Sequence, residues 1–99
     1  MHARLSFYDT GGASRDEIVG AFEGVRGAVE QMQGNQGAML LVSPEGGKAI
    51  TITLWESEDD LRATQQQADE TRRQAAGGAG MTIRGVESYE VALEFGARQ

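Results

Sequence analysis

The chain has 99 residues, of which 39% are hydrophobic and 24% charged, with a formal net charge of −6 and no cysteine. One small domain, expected to span 1–99, buries only about two thirds of its unfolded surface, so a partner subunit would help it. The composition excludes a disordered chain, the acidic balance opposes nucleic acid and anionic lipid, and the missing thiols exclude disulfides and thiolate metal sites.

The longest apolar run, Ala38 to Val42, is too short for a membrane span, and no stretch has the layout of a signal peptide, so the cytoplasm is the expected compartment. In chain order, Ala3, Leu5 and Phe7 alternate with His2, Arg4, Ser6 and Tyr8, the period of a half-buried strand. Asp9 to Ala13 is a turn cluster, after which Ser14 and Glu17 form a capping box. Ile18, Phe22, Val25, Val29 and Met32 then fall on one helical stripe that Gly34 ends. Gly20, Gly24 and Gly27 each weaken this helix by about 1 kcal/mol relative to alanine, so packing must hold it.

Gln36 to Val42 reads as a second strand with apolar residues on both faces. Ser43 to Lys48, with the only proline and a glycine pair, turns it back as a hairpin into Ile50 to Trp55. In this third strand Ile50, Ile52 and Leu54 oppose Thr51, Thr53 and Trp55 across the sheet. Ser57 caps the next helix, with Glu58, Asp59 and Asp60 in its first turn, and that helix is expected to run to about Ala76 with a weak stripe of small residues. Gly77 to Gly80 breaks it, and Met81 to Phe95 resumes strand character with Gly85 as a bend or bulge.

The order βαββαβ with right-handed crossovers implies an α+β, ferredoxin-like fold: a four-stranded antiparallel sheet, two helices on one face, and the first and third strands in the middle. The aliphatic residues of the central strands are expected under the helices. The opposite face then carries, besides His2 and Ser6, the five residues Arg4, Tyr8, Thr51, Thr53 and Trp55, and with Met39 and Leu41 added it is too apolar for water alone. A homodimer through sheet faces, with a cavity between them, is the expected partner arrangement.

Those five residues are the candidate substrate-binding set for a small hydrophobic or aromatic ligand. Three of them also have a structural role to fill: Trp55 as an interface anchor, Tyr8 likewise, and Arg4 in an ion pair with Glu87, Glu90 or a group of the opposite subunit, which competes with binding of an anion. His2, the sole histidine, sits at a terminus expected to fray. The acidic cluster at Glu56 to Asp60 is explained by the helix dipole, so no metal site is expected. No nucleophile triad or paired-carboxylate spacing is present, and the glycines at 77–80 lack the lysine and following helix of a phosphate loop.

Gly37-Ala38-Met39-Leu40-Leu41-Val42, the step Thr53-Leu54-Trp55-Glu56-Ser57-Glu58 into the second helix, and Val86-Glu87-Ser88-Tyr89-Glu90-Val91 in the last strand resemble the antibiotic-biosynthesis-monooxygenase-like family of the dimeric α+β barrel superfamily. The resemblance covers most of the chain, and its tryptophan-x-serine step records a strand-to-helix turn. It implies the dimeric barrel fold and a cofactor-independent monooxygenase acting on an aromatic or polyketide-like molecule, with no bound cofactor. The alternative is a non-catalytic homodimer that binds a small ligand or acts as an accessory protein. Haem-degrading members of the superfamily carry a first-strand asparagine with a tryptophan and a histidine on the second helix. Here that helix has no aromatic and no histidine. Quinone-forming members set a tryptophan beside polar groups, roles that Trp55, Tyr8, Thr51 and Arg4 can fill, although their asparagine is not evident.

Overall fold

The computed structural model describes residues 1–96. Its elements run β1 (His2–Asp9), α1 (Arg15–Glu23), α2 (Arg26–Glu30), β2 (Asn35–Val42), β3 (Lys48–Trp55), α3 (Glu58–Ala63), α4 (Gln65–Ala79) and β4 (Thr82–Glu90). The strands form one antiparallel sheet in the order β2-β3-β1-β4, which is the ferredoxin-like arrangement with β1 and β3 central. His2 pairs with Trp55 on one side and Glu90 on the other. The strand start is therefore held from both edges, contrary to the fraying expected of a terminus.

Each expected helix is two segments. The first opens on the Ser14–Glu17 capping box and breaks at Gly24 and Val25, where Val25 has φ −111° and ψ 1°. The glycines that weaken the helix make this break cheap. The second opens with Ser57 accepting from the Asp60 N–H. It breaks at Thr64, whose hydroxyl bonds back to the Asp60 carbonyl at 2.8 Å. Beyond that break the helix continues through Gly77 and Gly78 and stops at Gly80, which takes a left-handed φ of 68°. The expected break at Gly77 is thus displaced to the last glycine of the run. β4 ends at Glu90, five residues before the Phe95 that the strand was expected to reach, and Leu93 and Phe95 are exposed. A register shift opposite Phe7 and Tyr8 makes Arg84 the extra residue, next to the Gly85 at which a bulge was expected.

The faces of the sheet are the reverse of the expectation. Tyr8 meets Phe22 of α1 edge-on with ring centroids 5.4 Å apart, and Ser6 accepts from Arg72 of α4. Arg4 donates to the Leu61 carbonyl of α3. Alternation then places Ala49, Thr51, Thr53 and Trp55 of β3 on this same helix-covered side. The core lies there as two clusters. One joins Tyr8, Ile18, Ala49, Ala76 and Met81, and the other joins Met32, Trp55 and Leu61. The apolar residues Leu5, Phe7, Ile50, Ile52 and Leu54 face away from the helices, beside the exposed Met39 and Leu41. The physical reason is that α4 presents alanines, Thr71 and Arg72 inward, so it is matched by hydroxyls and small residues rather than by a layer of isoleucines.

Candidate functional site

A cavity of about 580 Å³ lies between the sheet and α1, α2 and α4. Arg4, Tyr8, Thr51, Thr53 and Trp55 all line it. The five residues selected by alternation are thus brought together, but under the helices and within one chain rather than between two facing sheets. Val19 and Phe22 of α1, Val25 at the break, Val29 of α2, and Met32 supply much of the wall opposite the strands. The volume is in the range of small-molecule sites, and a mostly apolar lining with a few converging polar groups is their usual chemistry.

Trp55 ends β3 at one side of this space with no exposed surface. Its ring packs on Met32 and Leu61, and its indole N–H donates to the Thr53 hydroxyl at 3.0 Å. That hydroxyl also lies 3.5 Å from the Arg4 carbonyl, so the threonine links the two central strands. Tyr8 stands at the other end of the strand pair, 3% exposed, its hydroxyl 3.4 Å from that of Thr51. A planar ligand held in this space would therefore meet the Phe22 ring and the strand hydroxyls, with Trp55 enclosed behind them.

The polar depth of the cavity belongs to two arginines. Arg4 is 3% exposed, its guanidinium carbon 5.0 Å from the centroid of the Trp55 ring. One of its terminal nitrogens donates to the Leu61 carbonyl, while Nη1 is buried without a partner. Burial, then the neighbouring Arg72, holds its pKa below the ordinary arginine value, with Asp69 acting in the opposite sense. Arg72 donates through Nε to Ser6 at 2.9 Å and through Nη1 to Asp69 at 2.6 Å. Of the two glutamates expected to pair with Arg4, Glu87, opposite Leu5, is on the other face of the sheet and bonds Tyr89, while Glu90, opposite His2, is at the far end of the strand, and among the described residues neither makes an ion pair with Arg4 within the chain.

The lining also includes Ser6, which shares the strand face of the candidates, and Phe22, Asn35 and Arg72, none of them in the candidate set. Phe22 was assigned to the helix stripe as core, and Arg72 lay on the inward stripe of the second helix, a position where a basic residue is itself a signal. Asn35 stands at the start of β2, with its side-chain oxygen accepting from the Gly37 N–H at 3.2 Å. Only tertiary structure carries it into the cavity wall. His2 is not among the lining residues. Among the described residues no three or more histidine, cysteine, aspartate or glutamate side chains are grouped to hold a metal ion, and no helix is long and apolar enough to cross a membrane.

No family model matches the sequence, and no curated protein does. Solved structures match it over nearly its whole length. The heme-degrader MhuD from Mycobacterium tuberculosis, with two hemes bound in its active site, aligns at 24% identity and a TM-score of 0.69, covering 97% of this chain and 100% of that one. SnoaB, a cofactor-independent oxygenase from Streptomyces nogalater, aligns at 18% identity and 0.68, covering 99% and 93%. A candidate antibiotic biosynthesis monooxygenase from Deinococcus radiodurans aligns at 11% and 0.70 over the whole of both chains. The residues here do not fit a histidine-ligated haem. The one imidazole lies outside the cavity lining, and α4 contributes Ala68, Thr71 and Arg72 to the wall. What these structures share with the chain is its architecture, and it therefore has the ferredoxin-like α+β fold of the antibiotic-biosynthesis-monooxygenase-like structures.

Proposed function

We propose that the protein is a cofactor-independent monooxygenase that takes an aromatic or polyketide-like molecule into the cavity between sheet and helices. The observation that carries this reading is a single space of about 580 Å³ joining Trp55, Tyr8 and Arg4. Side chains that only packed against one another would leave no such volume. The fold shared with an oxygenase of this kind adds to it. A reaction suited to such a site is oxidation of a methylene carbon flanked by aromatic rings. Its ionised form gives electrons to dioxygen, one oxygen atom becomes the new carbonyl, the other leaves as water, and the substrate supplies all four electrons. The chain then has to bind the ring system, exclude water and hold the anion: Trp55 and Phe22 serve the first two tasks and Arg4 the third.

The assembly proposed with it is a homodimer in which the second copy covers the apolar face of Phe7, Met39, Leu41, Ile50 and Ile52. The second reading, a non-catalytic homodimer that binds a small apolar ligand or serves as an accessory protein, uses the same cavity without turnover. Oxygen uptake with a panel of anthrones and hydroquinones separates the two. An oxygenase consumes one dioxygen per quinone formed from an anthrone, faster than the uncatalysed reaction. Binding of the panel without acceleration of any member establishes the second reading.

A further inference from the structure

We infer that Met32 is an oxidation site served by this cavity: its thioether takes an oxygen atom from a hydroperoxide held there, and the sulfoxide formed loosens the packing of Trp55. The inference rests on the oxygenase reading above and adds to it the residue that meets oxidant escaping from the reaction. Two methionines are enclosed to nearly the same degree, Met32 at 7% exposure and Met81 at 8%. Only one of the two borders the cavity. Met32 is in its wall, whereas Met81 packs with Tyr8, Ile18, Ala49 and Ala76 and does not line it. Oxidant in bulk water reaches both poorly, so a difference between them reports oxidant inside the cavity.

The backbone fixes where the thioether stands. The Met32 N–H donates to the Val29 carbonyl at 3.1 Å, and the Met32 carbonyl accepts from the Asn35 N–H at 3.2 Å, so the residue closes the turn between α2 and β2. Its side chain packs with Trp55 and Leu61. A thioether is soft and polarizable, and the chain has no cysteine to compete with it for oxidant. Met39 also borders the cavity, but it is exposed on the sheet face assigned to the second copy and serves neither as site nor as control. In the proposed reaction a hydroperoxide lies between capture of dioxygen by the ionised carbon and loss of water. Sulfur attacks its outer oxygen and the O–O bond breaks. The inner oxygen takes the hydroxyl proton and remains as an alcohol, while the sulfur, two electrons poorer, becomes a sulfoxide. The substrate is thereby diverted from the carbonyl product to the alcohol. The new S–O group is polar in an apolar cluster whose indole N–H is already given to Thr53 at 3.0 Å. An acceptor left without a donor there weakens the cluster.

Cumene hydroperoxide, which is aromatic, and hydrogen peroxide, which is small, test this with the full chain, and peptide fragmentation in the mass spectrometer assigns added oxygen to each methionine. With cumene hydroperoxide, Met32 should be oxidised at least about ten-fold faster than Met81, since sulfoxide formation follows access to the oxidant. Naphthoate, an aromatic ligand without a peroxide bond, should protect Met32 and leave the exposed Met1 unaffected. Hydrogen peroxide should attack Met1 first. Wild type treated until Met32 is oxidised and Met81 is not should melt below the untreated chain, whereas Met32→Leu, of similar side-chain volume, should melt alike with and without treatment. Equal rates for Met32 and Met81 overturn the inference, as does oxidation of Met32 that bound naphthoate does not slow, and in both cases the cavity stands. If neither cumene hydroperoxide nor naphthoate quenches the fluorescence of Trp55, the aromatic-ligand reading fails and the inference with it. An anthrone separates the site from the reaction. Quinone formation that leaves Met32 intact overturns the inference while the oxygenase reading stands; selective oxidation of Met32 by cumene hydroperoxide without anthrone turnover overturns the oxygenase reading while the oxidation site stands.

Discussion

Replacing Trp55 by phenylalanine tests whether the residue is both a structural post and a wall of the cavity. The indole has no exposed surface, so nothing about it is spared by solvent. The smaller ring loses the N–H bond to Thr53, 3.0 Å long in the wild-type chain, at a cost of about 1 kcal/mol. It weakens the stack under Arg4, 5.0 Å from the ring centroid, by about 0.5 kcal/mol. It also gives up contact with Met32 and Leu61, worth about 1 kcal/mol, the low end for a core truncation because the site already borders open space. The total is about 2.5 kcal/mol, which for a domain of this size lowers Tm by roughly 10–20 °C. Thermal unfolding by circular dichroism at one fixed protein concentration measures it, and loss of naphthoate affinity followed by the ligand's own fluorescence measures the second role. A variant within about 0.5 kcal/mol of wild type, with unchanged ligand affinity, would show that neither the N–H bond nor the stacking matters.

Ile52→Lys places a charge in the middle of the outer apolar sheet face and should give a folded monomer, where light scattering of the wild type is expected to give twice the 10.6 kDa chain mass; a monomeric wild type refutes the proposed dimer. Gly34→Ala should lower stability by more than about 1 kcal/mol, because Gly34 has φ +76° and a methyl group there would run into the Asp60 side chain; urea denaturation decides. The Ser14 backbone N–H, then its hydroxyl, hold the Glu17 carboxyl below the usual range. Its contribution is therefore present above the unfolded carboxylate value and lost as pH falls through the folded one, so Glu17→Gln should show a shallower acid decline of stability than wild type. Haem should give no stoichiometric Soret shift; a shift that disappears in His2→Ala would restore the one imidazole as a ligand.

Much of the fold was legible because its signals are local. The alternation of Ile50 to Trp55, the capping box at Ser14 and the glycine pair of the hairpin each constrain the backbone within a few residues. In the hairpin Gly46 and Gly47 take φ of 84° and 90°, and the Ser43 N–H closes on the Lys48 carbonyl at 3.0 Å. The helix breaks at Val25 and Thr64 were not legible, since both residues also fit the stripe of an unbroken helix. Their conformations are chosen by tertiary contact, Thr64 being 1% exposed.

The orientation of the sheet shows what alternation can and cannot decide. Period two sorts Arg4, Tyr8, Thr51, Thr53 and Trp55 into one set, and the cavity lining contains all five, but the pattern is symmetric under exchange of the two faces. The tie is broken by the helices. An inward stripe of large aliphatics on both helices would have demanded the isoleucines beneath it, yet α4 offers Ala68, Thr71, Arg72 and Ala75, and a buried Arg72 needs an acceptor such as Ser6. The polar-aromatic face therefore goes under the helices, where small residues on α4 leave the volume that large ones would have filled. The same choice pushes Leu5, Phe7, Ile50 and Ile52 outward beside Met39, 43% exposed, and Leu41, 45% exposed. An isolated chain leaves that surface in water, so the residues that open the cavity on one side of the sheet leave on the other the apolar face that the proposed dimer would cover.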